Sequence, residues 1–113
     1  MAAEARLTSA MLVGALRRRV GEQGGFATVV AKGDELSGVI LIQALEKGRY
    51  CGLFERVARV DGGYELMRCG PGGDEAAEAV DQYLGRRRRS DPDLWIVELD
   101  IPDAERFAAE TIC

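Results

Sequence analysis

The sequence predicts an α+β fold: a mostly antiparallel five-stranded sheet with helices packed on it, in the order α-β-β-β-β-α-β-α. Three observations carry this reading. Leu12, Val13, Leu16 and Val20 recur at helical spacing, as do Ala76, Val80, Tyr83 and Leu84. Five short runs are rich in β-branched and other apolar residues, as strands are. Polar or glycine-bearing turns separate the first four of these runs, so they read as two hairpins. The 113 residues suit a single domain spanning 1–113.

The first helix runs from Thr8 or Ser9 to Gln23. Thr8 or Ser9 caps its start and Gly24-Gly25 ends it. Arg17, Arg18 and Arg19 lie toward its C-terminal end, where cations complement the helix dipole. Residues 26–32 form a short β-branched strand. Residues 39–45 form a continuous apolar strand of the kind that is covered on both faces. The polar segment 33–38 between them reads as a hairpin turn.

A second hairpin joins residues 49–59 to residues 64–69. With Asp61-Gly62 as a type I′ turn, Val57 faces Leu66, Glu55 faces Arg68 and Cys69 faces Phe54. Gly70 to Gly73 break the sheet, and Asp74 caps a second helix over 75–89. Asp91-Pro92-Asp93 ends that helix. Residues 94–99 are the last strand. Pro102-Asp103 opens a terminal helix with Phe107 as its anchor.

Composition narrows the function. The chain is 47% hydrophobic and 30% charged, which is globular rather than disordered. No apolar run approaches the roughly 20 residues of a membrane helix. Glu4 near the start, with Arg17 to Arg19 after the apolar stretch, is the wrong order for a secretory signal. Cys51, Cys69 and Cys113 make an odd set without C-x-x-C spacing, which argues against a disulfide framework and against zinc. Reduced thiols in the cytoplasm are the expectation. No metal or cofactor motif is visible. Histidine is absent, which removes the commonest general base and the usual partner of a Ser or Cys nucleophile.

Net charge is −4, yet the cations cluster at Arg17 to Arg19 and at Arg86 to Arg89. Arginine forks suit phosphates and carboxylates. Four consecutive helical residues point around the whole circumference, so they do not share one ligand. Arg87 falls in the apolar stripe, where its head pairs with an acid such as Asp91 or Asp93. Arg86, Arg88 and Arg89, joined by Arg17 and Arg18, remain as candidate ligand contacts. Gly70 to Glu75 lacks the P-loop pattern and places acids where a phosphate would sit. Asp91 and Asp93 are turn residues before they are metal ligands. Cys69 lies between Arg68 and a helix start, the setting of an activated thiol. Trp95 reads as core, or as an interaction surface if exposed.

The segments Gly25 to Val30, Lys32-Gly33-Asp34, Tyr83-Leu84 and above all Asp91-Pro92-Asp93-Leu94-Trp95 resemble a family of small bacterial proteins of unknown function, common in alphaproteobacteria. The resemblance spans nearly the whole chain. It implies a cytoplasmic single-domain protein and carries over no catalytic or binding residue.

The sequence favours a non-catalytic binding or protein-interaction module. The apolar 39–45 strand calls for more cover than two helices and a tail promise, so a homodimer or an unidentified protein partner is expected. The alternatives are a nucleic-acid or phosphate-ligand binder using the arginine clusters, and a small carboxylate- or thiol-dependent enzyme.

Overall fold

The computed structural model describes residues 7–75 and 77–113. The opening residues 1–6 and Ala76, assigned above to an apolar helical stripe, lie outside the described residues. The elements run α1 (Ser9–Glu22), β1 (Phe26–Ala31), β2 (Ile40–Glu46), β3 (Arg49–Ala58), β4 (Tyr64–Cys69), α2 (Ala77–Ser90), β5 (Trp95–Asp100) and α3 (Ala104–Ile112). They form the expected α+β arrangement. The five strands make one mixed sheet in the order β1-β5-β2-β3-β4, antiparallel except between β2 and β5.

α1 starts as its sequence dictates. Thr8 Oγ1 accepts from the Met11 amide at 3.1 Å. The amides of Ser9 and Ala10 donate to the carbonyls of Leu36 and Glu35, so the orphan donors of the first turn are satisfied. Leu12, Val13, Leu16 and Val20 are buried as the spacing requires.

The expected β1–β2 hairpin does not form. β5 lies between the two strands, antiparallel to β1 and parallel to β2. The 33–38 segment is not a hairpin turn but a loop laid across the start of β5. Asp34 N–H donates to the Asp93 carbonyl at 3.0 Å, and Trp95 Nε1 donates to the Asp34 carbonyl at 2.7 Å. Gly33 and Gly38 allow this approach, since a Cβ at either would fall within 2.2 Å of the Asp93 carbonyl oxygen. The two most apolar strands thereby take adjacent interior positions.

The hairpin partner of β2 is β3. Lys47 and Gly48 both have positive φ (52° and 81°), as a two-residue type I′ turn requires. The Asp100 carboxylate accepts from both turn amides at 2.8 Å.

The β3–β4 hairpin forms one residue out of the expected register. Phe54 faces Arg68, Glu55 faces Met67 and Leu53 faces Cys69. The reason is the turn. Gly62 N–H donates to Arg59 and Arg59 N–H to Gly63, closing a three-residue loop with Gly62 at φ 99°. The Arg59–Asp61 ion pair at 3.1 Å spans it.

Two cores fill the two faces. α1 and α3 cover one face, with Leu16, Val20, Ile42, Val97, Leu99 and Ile112 among its residues. α2 covers the other through Val80 and Leu84 against Leu41, Leu53, Leu94 and Ile96. Ile40, Leu41 and Ile42 are at most 1% exposed, so the chain itself covers both faces of β2 at these positions. Each such side chain contributes about 1.5–3 kcal/mol. α2 is described from Ala77, and Asp74 stands in the turn that precedes it. α3 is held by Ala104, Ala108 and Ile112, while Phe107 is only half-buried. Among the described residues no helix is long and apolar enough to cross a membrane.

Candidate functional site

The arginine blocks do not converge. Arg17 and Arg18 belong to α1 and Arg86, Arg88 and Arg89 to α2, and these helices cover opposite faces of the sheet. Several of the guanidinium groups are engaged. Arg19 donates to Thr111 Oγ1 at 2.7 Å and stacks on Phe107 at 5.0 Å, tying α1 to α3. Arg88 donates to the carbonyls of Lys32, Pro92 and Leu94 at 3.2, 3.2 and 2.7 Å. It clamps the turn after α2 while staying partly exposed. Arg86 and Arg89 are exposed, with Arg86 5.9 Å from the Tyr83 ring. Arg17 and Arg18 are exposed beside Phe26 and Ala27 in a shallow groove between α1 and β1.

Arg87 does pair with an acid, but with Glu55 of β3 at 2.8 Å rather than with Asp91 or Asp93. It also donates to the Tyr83 hydroxyl at 2.9 Å. Burial opposes its charge, but hydrogen bonds to Tyr83 and Glu55 outweigh that and raise its pKa. Asp91 Oδ1 accepts from the Asp93 amide at 3.1 Å, which is turn chemistry.

Trp95 is 4% exposed, so it is core and not an interaction surface. Its indole N–H has its partner inside the chain, on Asp34. The thiol of Cys69 packs under α2, and burial pushes its pKa up despite Tyr83 and Arg87 nearby.

A cavity lies elsewhere, between α3 and the β2–β3–β4 end of the sheet. It measures about 470 Å³. Ala44, Phe54 and Ala104 make an apolar floor, each at most 5% exposed. Arg68 of the edge strand lines it on one side, and Glu46, Asp103 and Glu105 come from the end of β2 and the start of α3. The Arg68 guanidinium lies 4.9 Å from the centre of the Phe54 ring. It has no hydrogen bond or ion pair among the described residues.

Backbone irregularity gathers around this cleft. Ala44 pairs with Gly52 and Leu45 with Tyr50, which leaves Cys51 as the extra residue of a bulge and turns it toward the cavity. Gly52 has φ 150°, and a Cβ there would stand 2.7 Å from Arg68 Nη1. Asp103 is left-handed at φ 55°. Among the described residues no group of three or more His, Cys, Asp or Glu side chains is placed to hold a metal ion.

The sequence missed these residues for a definite reason. A register slip of one residue sends a side chain to the opposite face of the sheet. In the expected register Arg68 was neutralised by Glu55; in the structure Glu55 faces α2 while Arg68 faces the cleft. The available signal was Gly52, a glycine inside a strand, which marks a bulge or a close approach.

No curated protein matches the chain significantly. Solved structures do. A crystal structure of a DUF1491 family protein from Caulobacter crescentus is 34% identical, with a TM-score of 0.78 over 90% of this chain and 94% of that one. An NMR structure of a DUF1491 family protein from the same organism gives 35% identity and a TM-score of 0.73, covering 91% and 94%. A solution structure of a protein from A. tumefaciens gives 33% identity and a TM-score of 0.68, covering 88% and 89%. The family profile described as "Protein of unknown function (DUF1491)" matches residues 7–109, so the chain belongs to the DUF1491 family.

Proposed function

We propose that this chain is a non-catalytic binding module that holds a small organic ligand, through an anionic group, in the cleft between α3 and β2–β3–β4. One observation carries the reading: a guanidinium without a partner among the described residues, stacked on a buried ring at the edge of a cavity of about 470 Å³. Sites for small ligands occupy roughly 300–1,000 Å³ and combine apolar walls with a few placed polar groups. Arg68 supplies a fork suited to a carboxylate or phosphate, and the Phe54 ring lies beside it. The chain has no histidine and burial pushes the Cys69 thiol pKa up, which supports holding over turning over. Three free cysteines suit a reducing cytoplasm, where we place the protein. The nucleic-acid reading draws less support, since the two arginine blocks sit on opposite faces.

The test is thermal unfolding of the wild type and of Arg68→Gln across a panel of small organic acids and phosphate esters. A ligand that binds only the folded state stabilises it by about 2.7 kcal/mol at a hundred times its Kd. At least one compound should raise the wild-type Tm and leave Arg68→Gln unmoved. Equal shifts in both proteins, or none in either, contradict the reading.

A further inference from the structure

We infer that the ligand of this cleft is a small zwitterion of the α-amino-acid kind, with its anionic group on Arg68 and its ammonium group against the carboxylates of Glu46, Asp103 and Glu105. This rests on the binding reading above and adds the second half of the ligand.

The cleft carries charges of both signs that do not neutralise one another. Glu46, Asp103 and Glu105 line it together with Arg68, and none of the four makes a side-chain hydrogen bond or ion pair among the described residues. The other lining cation, Arg106, is turned to Glu110 at 3.8 Å. The exposed Arg68 guanidinium lies 4.9 Å from the centre of the Phe54 ring, in the room that Gly52 leaves.

Asp103 adds an independent sign. It holds the N-cap position of α3, where an aspartate ordinarily accepts from the first-turn amides. Here its φ is 55° and its side chain makes no cap hydrogen bond. Asp103 is exposed and lines the cleft with that carboxylate uncommitted to the helix.

The charge balance selects among ligands. A simple anion on Arg68 would meet three carboxylates at the same cavity, and a simple cation would meet the guanidinium. A molecule with both groups on a short apolar body satisfies each end. The Ala44, Phe54 and Ala104 floor then receives the hydrocarbon part.

The experiment is an amide-shift titration of the full chain with phenylalanine and leucine, alongside their deaminated acids and decarboxylated amines. The amino acids should shift the amides of Gly52, Arg68 and Asp103 saturably. Each acid and each amine should bind at least about tenfold more weakly, since each lacks one charge-assisted contact. Arg68→Gln should reduce the amino acids to the level of the amines. Glu105→Gln combined with Glu46→Gln should reduce them to the level of the acids. If the deaminated acids bind as tightly as the amino acids, the zwitterion inference falls and the anion-binding reading stands. If no compound shifts these amides, both fall.

Discussion

Gly52 and Arg68 are matched across β3 and β4: the space a Cβ would need at residue 52 is filled by the Arg68 guanidinium, 2.7 Å away. The same glycine has φ 150°, a backbone region that side chains rarely adopt. One residue thus combines a bulged strand, a stacked arginine and a cleft.

Gly52→Ala should therefore destabilise the fold by about 1–3 kcal/mol through backbone strain, and should displace the arginine as well. Urea unfolding reads the loss. Adding Arg68→Ala should recover part of it, because the steric partner is gone while the strain remains. Full additivity of the two substitutions would show that they do not meet.

The Glu55–Arg87 pair joins β3 to α2 at 2.8 Å, with both side chains about a quarter exposed (27% and 25%). It lies between the exposed pairs that contribute little and the buried ones whose breakage is costly. A double-mutant cycle with Glu55→Gln and Arg87→Met should give a coupling of about 1–2 kcal/mol, retained in moderate salt. A coupling near zero would reduce the pair to a surface contact.

Neighbouring arginines of α2 should separate sharply in the same measurement. Arg88→Ala removes a charged donor from three carbonyls and should cost about 1.5–3 kcal/mol. Arg86→Ala and Arg89→Ala, both exposed, should stay within about 0.5 kcal/mol. Equal losses at all three positions would contradict the clamp.

Burial raises the pKa of Cys69, and likewise those of Tyr50 and Tyr83 beside it. A folded-state pKa above the unfolded one contributes stability that is complete below the unfolded value and is lost as pH rises through the folded value. Stability should therefore decline as pH climbs above the ordinary thiol range near about 8.5. Cys69→Ala should show a smaller decline over the first part of that window. Alkylation of Cys69 should also titrate at higher pH in the folded chain than in urea.

The elements were legible because their signals are local. The Leu12 to Val20 stripe, the Thr8 cap and the apolar 39–45 run each dictate their own structure. Pairing was less legible, because it depends on residues distant in sequence. The close approach at Gly33 and Gly38 reads as a turn until Asp93 and Trp95 are brought against it. Lys47-Gly48 makes the type I′ turn although Asp61-Gly62 has the more favoured sequence for one. The cleft followed the pairing. Its charges come from β2, β4 and α3, and a one-residue slip was enough to hide Arg68 behind Glu55.

The proposed anion contact of Arg68, itself an exposed side chain, is most directly read from arginine side-chain Nε–Hε resonances during titration with acetate and then phenylalanine. Arg68 should shift and saturate at concentrations where Arg17, Arg86 and Arg89 still change linearly. A response of Arg68 indistinguishable from theirs would mean that the cleft holds no anion of its own.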